Sequence, residues 1–312
     1  MKKSILYSCI ILIIIFSGCF KHNDFVFTKQ LRMLFDDIKL YKLCVDQKSL
    51  HAGDLYEHSL WSYYAFIGLL NDSPYSEGLV LSLREKKIIP IAALLHDIGK
   101  AGRVELFDEN NTHGYKVCMT DNNVVDHISY YSDSQEHVLN GFQYLAGHFL
   151  NNKKSNFLSK NYRLNNGKIF DFYTMFKELS IDENEQKLIA ILVGMHYEFG
   201  NFVQNIITEQ QFLEKLQNFV QAVNYNNNVV NDRLVQLCVL VQVADVQGLT
   251  PVSWCCNSFF PKTLFLEQRH VDTLRFSNPL YDFGYSKKIN EEESVCLQKM
   301  HQLLACVKKN IS

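Results

Sequence analysis

Along most of the chain, apolar positions recur at intervals of three and four residues, the spacing of amphipathic helices. Residues 25–41 form one such stretch. Residues 55–70 form another, with Leu55, Ser59, Ser62, Phe66 and Leu69 or Leu70 winding around it. Asn71-Asp72-Ser73-Pro74 ends that helix, because a proline pushes its preceding neighbour out of the helical region. The stretch 85–99 is apolar on nearly every side, which places it at the centre of a bundle; Pro90 suits a first helical turn, so the helix proper is expected to begin near it, and Gly99 and Gly102 close it. Residues 103–133 are rich in turn formers, with a short strand expected at 115–120 and room for a β-hairpin around 103–131. Helix returns at 134–149, and the Asn- and Lys-rich run 151–168 reads as an exposed insertion. Ser180-Ile181-Asp182-Glu183 and Thr208-Glu209-Gln210-Gln211 read as capping boxes, each opening a helix. After the Asn-rich loop 224–231, Asp232 helps to cap a helix reaching about 246, with Leu234, Cys238, Val241 and Asp245 on one face. Gly248 and Pro251 stop it, an irregular aromatic stretch covers 252–286, and an amphipathic helix spans 290–309. There is no internal repeat and no glycine-rich phosphate loop.

The first nineteen residues follow another pattern. Lys2 and Lys3 precede an almost unbroken apolar run at 5–16, and Ser17-Gly18-Cys19 follows. The run is short for a membrane span, which takes about 20 residues, and has the layout of a secretory signal. Phe16-Ser17-Gly18-Cys19 resembles a bacterial lipobox, with Phe16 in place of the usual Leu. That resemblance implies lipidation at Cys19 and a membrane attachment through the N-terminus. An uncleaved signal anchor is the alternative; both readings place the remainder outside the cytoplasm, since the lysines stay inside.

Composition narrows the class. Hydrophobic residues make up 47% and charged residues 21% of the 312 positions, which excludes a disordered or collagen-like chain. With only 5 Pro and 14 Gly, an all-α fold is favoured over a sandwich. The formal net charge of -2 supplies no overall basic excess for nucleic acid and leaves only a local patch open. Of nine cysteines, Cys9 and Cys19 fall in the leader, leaving an odd number, so at least one thiol is free or shared between chains. There is no CxxC, hence no support for a thiolate zinc site, and Cys238, Cys296 and Cys306 read as small apolar residues on helices.

The chemistry is carried by histidines and aspartates. Ala93-Leu94-Leu95-His96-Asp97-Ile98-Gly99-Lys100 places two ligand-type side chains at the end of an apolar helix. A buried aspartate needs a partner or a metal. Adjacent helical residues point about 100° apart, so His96 and Asp97 share an ion only with help from neighbouring helices. Lys100 lies on the same side and suits a phosphate, or else serves as a cation at a helix C-terminus. His58, early in its helix, and Asp245, near the end of an apolar one, complete a mixed nitrogen and oxygen set suited to Mn, Fe, Co, Ni or Zn. His51, His113, His127 and His148 read as surface or loop residues.

The ordered set His58, His96-Asp97, Asp245, with Leu-Leu-His-Asp-Ile-Gly-Lys at 94–100, resembles the HD-domain superfamily of metal-dependent phosphohydrolases, over roughly 55–248. The resemblance implies a helical bundle with about five core helices. Glu136-His137-Val138-Leu139-Asn140-Gly141 and Met195-His196-Tyr197-Glu198 resemble two further histidine motifs of the HD-GYP-like diesterases, implying a part for His137 and His196 at a second metal. Tyr197 replaces a second adjacent His and no Gly-Tyr-Pro follows, so cyclic dinucleotide specificity is not implied. The organisation expected is a leader or anchor at 1–19, a helical extension at 20–54, an HD-type domain at 55–250, and a C-terminal aromatic segment and helix at 251–312. The expected activity is hydrolysis of a phosphomonoester or phosphodiester, nucleotide-like in class, by water activated on one or two divalent ions. Asp97 would orient or deprotonate the water and Lys100 would offset phosphoryl charge. Two other readings stay open: a catalytically degenerate HD-fold binding lipoprotein, and a relaxase-associated DNA-binding module suggested by His51-Ala52-Gly53 and His58-Ser59-Leu60.

Overall fold

The computed structural model describes residues 28–43, 54–71, 73–102, 115–119, 125–130, 136–150, 156–248 and 285–311. The leader with Cys19 and the aromatic residues 252–284 lie outside these. The helices described are α1 (Lys29–Ile38), α2 (Leu55–Asn71), α3 (Leu83–Ile88), α4 (Pro90–Leu95), α5 (Glu136–Ala146), α6 (Phe172–Glu178), α7 (Glu183–Met195), α8 (Glu198–Val203), α9 (Glu209–Val223), α10 (Asp232–Gln247) and α11 (Tyr285–Ile311). The fold is a helical bundle, as the periodicity predicts, with one small sheet. Strand β2 (Tyr115–Met119) pairs antiparallel with β3 (Val125–Tyr130), which forms the expected hairpin. Strand β1 (Tyr41–Leu43) adds to β3 in parallel, Tyr41 opposite Ile128. Helical periodicity extended to Tyr41, but three residues carry too little local preference to resist pairing with a distant strand.

The centre of the bundle is α7, which packs against α4, α5, α9 and α10, while α2 packs on α4 and α10. Every residue from 186 to 195 is buried, as is all of α4, because a helix that is apolar all round has no face to offer water. The helix expected to begin near Pro90 does so, as α4, and a separate short helix, α3, precedes it. A capping box between Ser82 and Glu85 opens α3, and Pro90, lacking an N–H, starts α4. Beyond α4 the chain leaves helical geometry at Asp97 (φ -97, ψ 10) and makes a 3₁₀ turn, Ile98–Lys100.

Local signals proved accurate in kind and sometimes shifted in register. The box at Thr208 and Gln211 forms as expected. The other box lies two residues further on, between Asp182 and Glu185, because Ser180 takes a left-handed φ of 57° and belongs to the preceding turn. Asn231, not Asp232, caps α10 by accepting from the Leu234 N–H. The described part of the 151–168 insertion is not simply exposed. Tyr162 and Leu164 are buried, the Tyr162 hydroxyl donates to Asp37 Oδ2 at 2.9 Å, and the Asn165 N–H donates to Asp37 Oδ1 at 2.7 Å. Among the described residues, no helix is long and apolar enough to cross a membrane.

Candidate metal centre

Five helices bring six side chains to one point. His58 lies in the first turn of α2, His137 in the first turn of α5 and Asp245 in the last turn of α10. His96 and Asp97 follow α4, and His196 follows α7. All six are buried.

Each of three imidazoles is aimed by its own Nδ1. His96 and His196 donate to the carbonyls of Ala93 and Val193, three residues back, each at 2.7 Å. His58 donates to the Gly248 carbonyl at 3.0 Å. A carbonyl only accepts, so each Nδ1 carries the proton and each Nε2 turns inward. The Nε2 atoms of His58 and His96 stand 3.0 Å apart. Asp245 Oδ1 lies 3.1 Å from the first and 3.2 Å from the second. Asp97 Oδ2 lies 3.4 and 3.5 Å from the same two nitrogens, while Oδ1 faces His137 Nε2 at 3.4 Å and His196 Nε2 at 3.6 Å.

Although these nitrogens are near, neither Asp97 Oδ1 nor Asp245 Oδ1 accepts a well-aligned hydrogen bond, and both atoms are buried. Buried carboxylate oxygens left in that state cost about 1–3 kcal/mol or more each. Two inward nitrogens 3.0 Å apart cannot both carry a proton. A cation at the convergence satisfies both demands. The ligand atoms of His58, His96 and Asp245, and those of His96, Asp97 and His196, lie within 4.8 Å of one another, so either trio could hold a metal ion.

Electrostatics favour positive charge here. Burial opposes a charged His96, but the Asp97 and Asp245 carboxylates outweigh it and lift the imidazole to about 10. His58 is raised against the same burial by Asp245 and Asp97. Burial would raise Asp97, yet Lys100 and His96 hold it well below the usual carboxylate range. Asp245 is likewise held low, against burial, by His96 and His58. Lys100 is itself buried, with Nζ 2.7 Å from Asp97 Oδ2. It ends a 3₁₀ turn and not an α-helix, so there is little macrodipole for it to complement.

Glycines set the approach of the elements. A Cβ on Gly99 would fall 1.8 Å from the His137 carbonyl and 2.6 Å from the Gly141 N. The turn after Asp97 therefore lies flat on α5, which brings Asp97 to His137. Gly99→Ala is expected to destabilise the protein by about 1–3 kcal/mol, read as a lowered Tm, since backbone and not a flexible side chain must move. An unchanged Tm would show that the crossing is looser than described. A Cβ on Gly248 would meet Ser62 Oγ at 2.3 Å and Ser62 N at 2.6 Å, so α10 ends against α2 closely enough for its carbonyl to reach His58. The sequence marked both glycines only as helix stops; their positions beside ligand residues were the available sign of a second role.

His51 and His113 lie outside the described residues. His148 is exposed and stacks on Tyr173 at 4.6 Å between centroids. Cys238 is buried, and Cys238, Cys296 and Cys306 are free thiols. The Tyr197 ring stands 6.2 Å from the His137 ring, edge to face. No family model, no curated protein and no solved structure matches this chain.

Proposed function

We propose that the chain is a metal-dependent phosphohydrolase of the HD-domain type, acting on a phosphomonoester or phosphodiester. The observation that carries this reading is the pair of buried carboxylate oxygens, Asp97 Oδ1 and Asp245 Oδ1, set among inward-facing imidazole nitrogens with no aligned donor. His58, His96, Asp97 and Asp245 would hold one divalent ion. The second face of Asp97, toward His137 and His196, fits a second ion, since one carboxylate can serve two neighbours. The nitrogen and oxygen set suits Mn, Fe, Co, Ni or Zn.

When bound, a divalent ion supplies Lewis acidity toward a phosphoryl oxygen and lowers the pKa of water. The residues of the chain supply the rest. Asp97, kept ionised by Lys100 and His96, orients water by accepting a hydrogen bond at a carboxylate oxygen. Lys100, within reach of Asp97, offsets charge developing on the phosphoryl group. The carbonyls of Ala93, Val193 and Gly248 keep three imidazoles in the tautomer that presents Nε2. Lipidation at Cys19 would place this chemistry at a membrane surface.

The purified protein is expected to contain one or two equivalents of a transition metal by mass spectrometry, and to hydrolyse p-nitrophenyl phosphate or its bis ester only when loaded. A protein that takes up no metal after exposure to Mn²⁺ and Fe²⁺ would sink the hydrolase reading.

A further inference from the structure

Besides Lys100, a further buried side chain touches the centre without being one of the six. Gln242 lies on α10 one turn before Asp245 and is buried. Its Nε2 donates to Asp245 Oδ2 at 3.2 Å. Its Oε1 accepts from the Gly200 N–H, in α8, at 3.4 Å. The direction of the amide follows from these partners. The Gly200 N–H can only donate, so the oxygen of Gln242 must face it, and the NH₂ must face the carboxylate. With Oδ2 occupied in this way, Asp245 turns Oδ1 toward the Nε2 atoms of His58 and His96, at 3.1 and 3.2 Å.

We infer that Gln242 is a positioning residue for the metal centre, holding Asp245 by one oxygen so that the other is presented to the ion. The inference rests on the metal reading above. It goes beyond it because Gln242 also ties the Asp245 side of the centre to α8, the helix that begins two residues after His196. One amide thus links the His58, His96, Asp245 trio to the segment that carries His196. Removing it frees Asp245 to rotate and unfastens α8 from α10. Groups that orient a metal ligand from behind typically change metal affinity by about 10–100-fold when lost.

A control is built into the same helix. Gln236 is also buried, and its Nε2 donates to the carbonyls of Tyr75 and Glu77, both at 2.9 Å, neither of them a ligand residue. A merely structural buried amide should behave like Gln236.

The test is Mn²⁺ titration of the full chain by calorimetry, together with thermal unfolding in chelator. Gln242→Met is expected to weaken Mn²⁺ binding about 10–100-fold. Gln236→Met is expected to lower the metal-free Tm while leaving the Mn²⁺ affinity within about twofold. Should Gln242→Met fail to fold, Gln242→Asn keeps an amide but is one methylene too short to span Asp245 and Gly200, and the same loss is expected. Wild-type protein that binds no Mn²⁺ overturns the metal centre and this inference with it. Wild-type protein that binds Mn²⁺, with either Gln242 variant binding as tightly, overturns this inference alone. A loss of Tm without a loss of affinity at position 242 does the same.

Discussion

Asp97→Ala is expected to strip the protein of metal and to lower phosphoester turnover on the order of 10²–10⁴-fold. Asp97 stands between the two halves of the cluster. One oxygen of Asp97 stands 3.4 and 3.5 Å from the His58 and His96 nitrogens, and the other 3.4 and 3.6 Å from those of His137 and His196. Both halves of the centre therefore lose a ligand at once. The substitution also takes a carboxylate from Lys100 Nζ at 2.7 Å, so a fall in stability is expected beside the functional loss. Asp97→Asn separates the two effects. It preserves volume and leaves Lys100 one oxygen but no charge, and should recover part of the Tm without recovering turnover. Metal content, Tm and turnover of both variants decide the matter. A variant at 97 that keeps its metal and its rate would place the centre elsewhere.

The centre was legible because burial is costly. His96 and Asp97 end an apolar helix, and Asp245 ends another; a helix that goes into the core carries such residues only where they are answered. His137 and His196 were legible as candidates, and the structure brings both within 4 Å of Asp97. What escaped was whatever depends on two segments meeting. Gln242 and Gln236 look alike in sequence, and only the position of Gly200 and Asp245 around one of them tells them apart. Gly99 and Gly248 read as punctuation until the elements facing them are known. Strand β1 gives no local sign because its partner is β3. The capping box near Ser180 failed by register, as two overlapping polar runs offered equivalent caps. The insertion failed because a few buried residues, Tyr162 and Leu164, are enough to tie down a polar loop.

Metal binding and metal-free stability are expected to respond to pH with opposite signs. Without metal, His96 is raised to about 10, against an ordinary value near 6.5. Its contribution to stability is complete below about pH 6.5, where folded and unfolded chains both hold the proton, and is lost as pH rises toward 10. Asp97 and Asp245 are lowered, so their contribution is present above their ordinary value of 3.8 and lost as pH falls below it. The metal-free protein should thus be firmest between about pH 4 and 6.5, and weaken in alkali. A cation must displace the same proton, so its affinity should rise about tenfold per pH unit in that range, worth about 1.4 kcal/mol. At a fixed excess of Mn²⁺, moving from pH 6 to 8 should add about 3 kcal/mol to the stabilisation, or roughly 6–12 °C in Tm. Thermal unfolding with and without Mn²⁺ across that range measures the difference directly. A Mn²⁺ shift that stays flat or shrinks as pH rises would mean that the ion does not take the place of the proton on His96, and that the imidazole cluster is a buried hydrogen-bonded core.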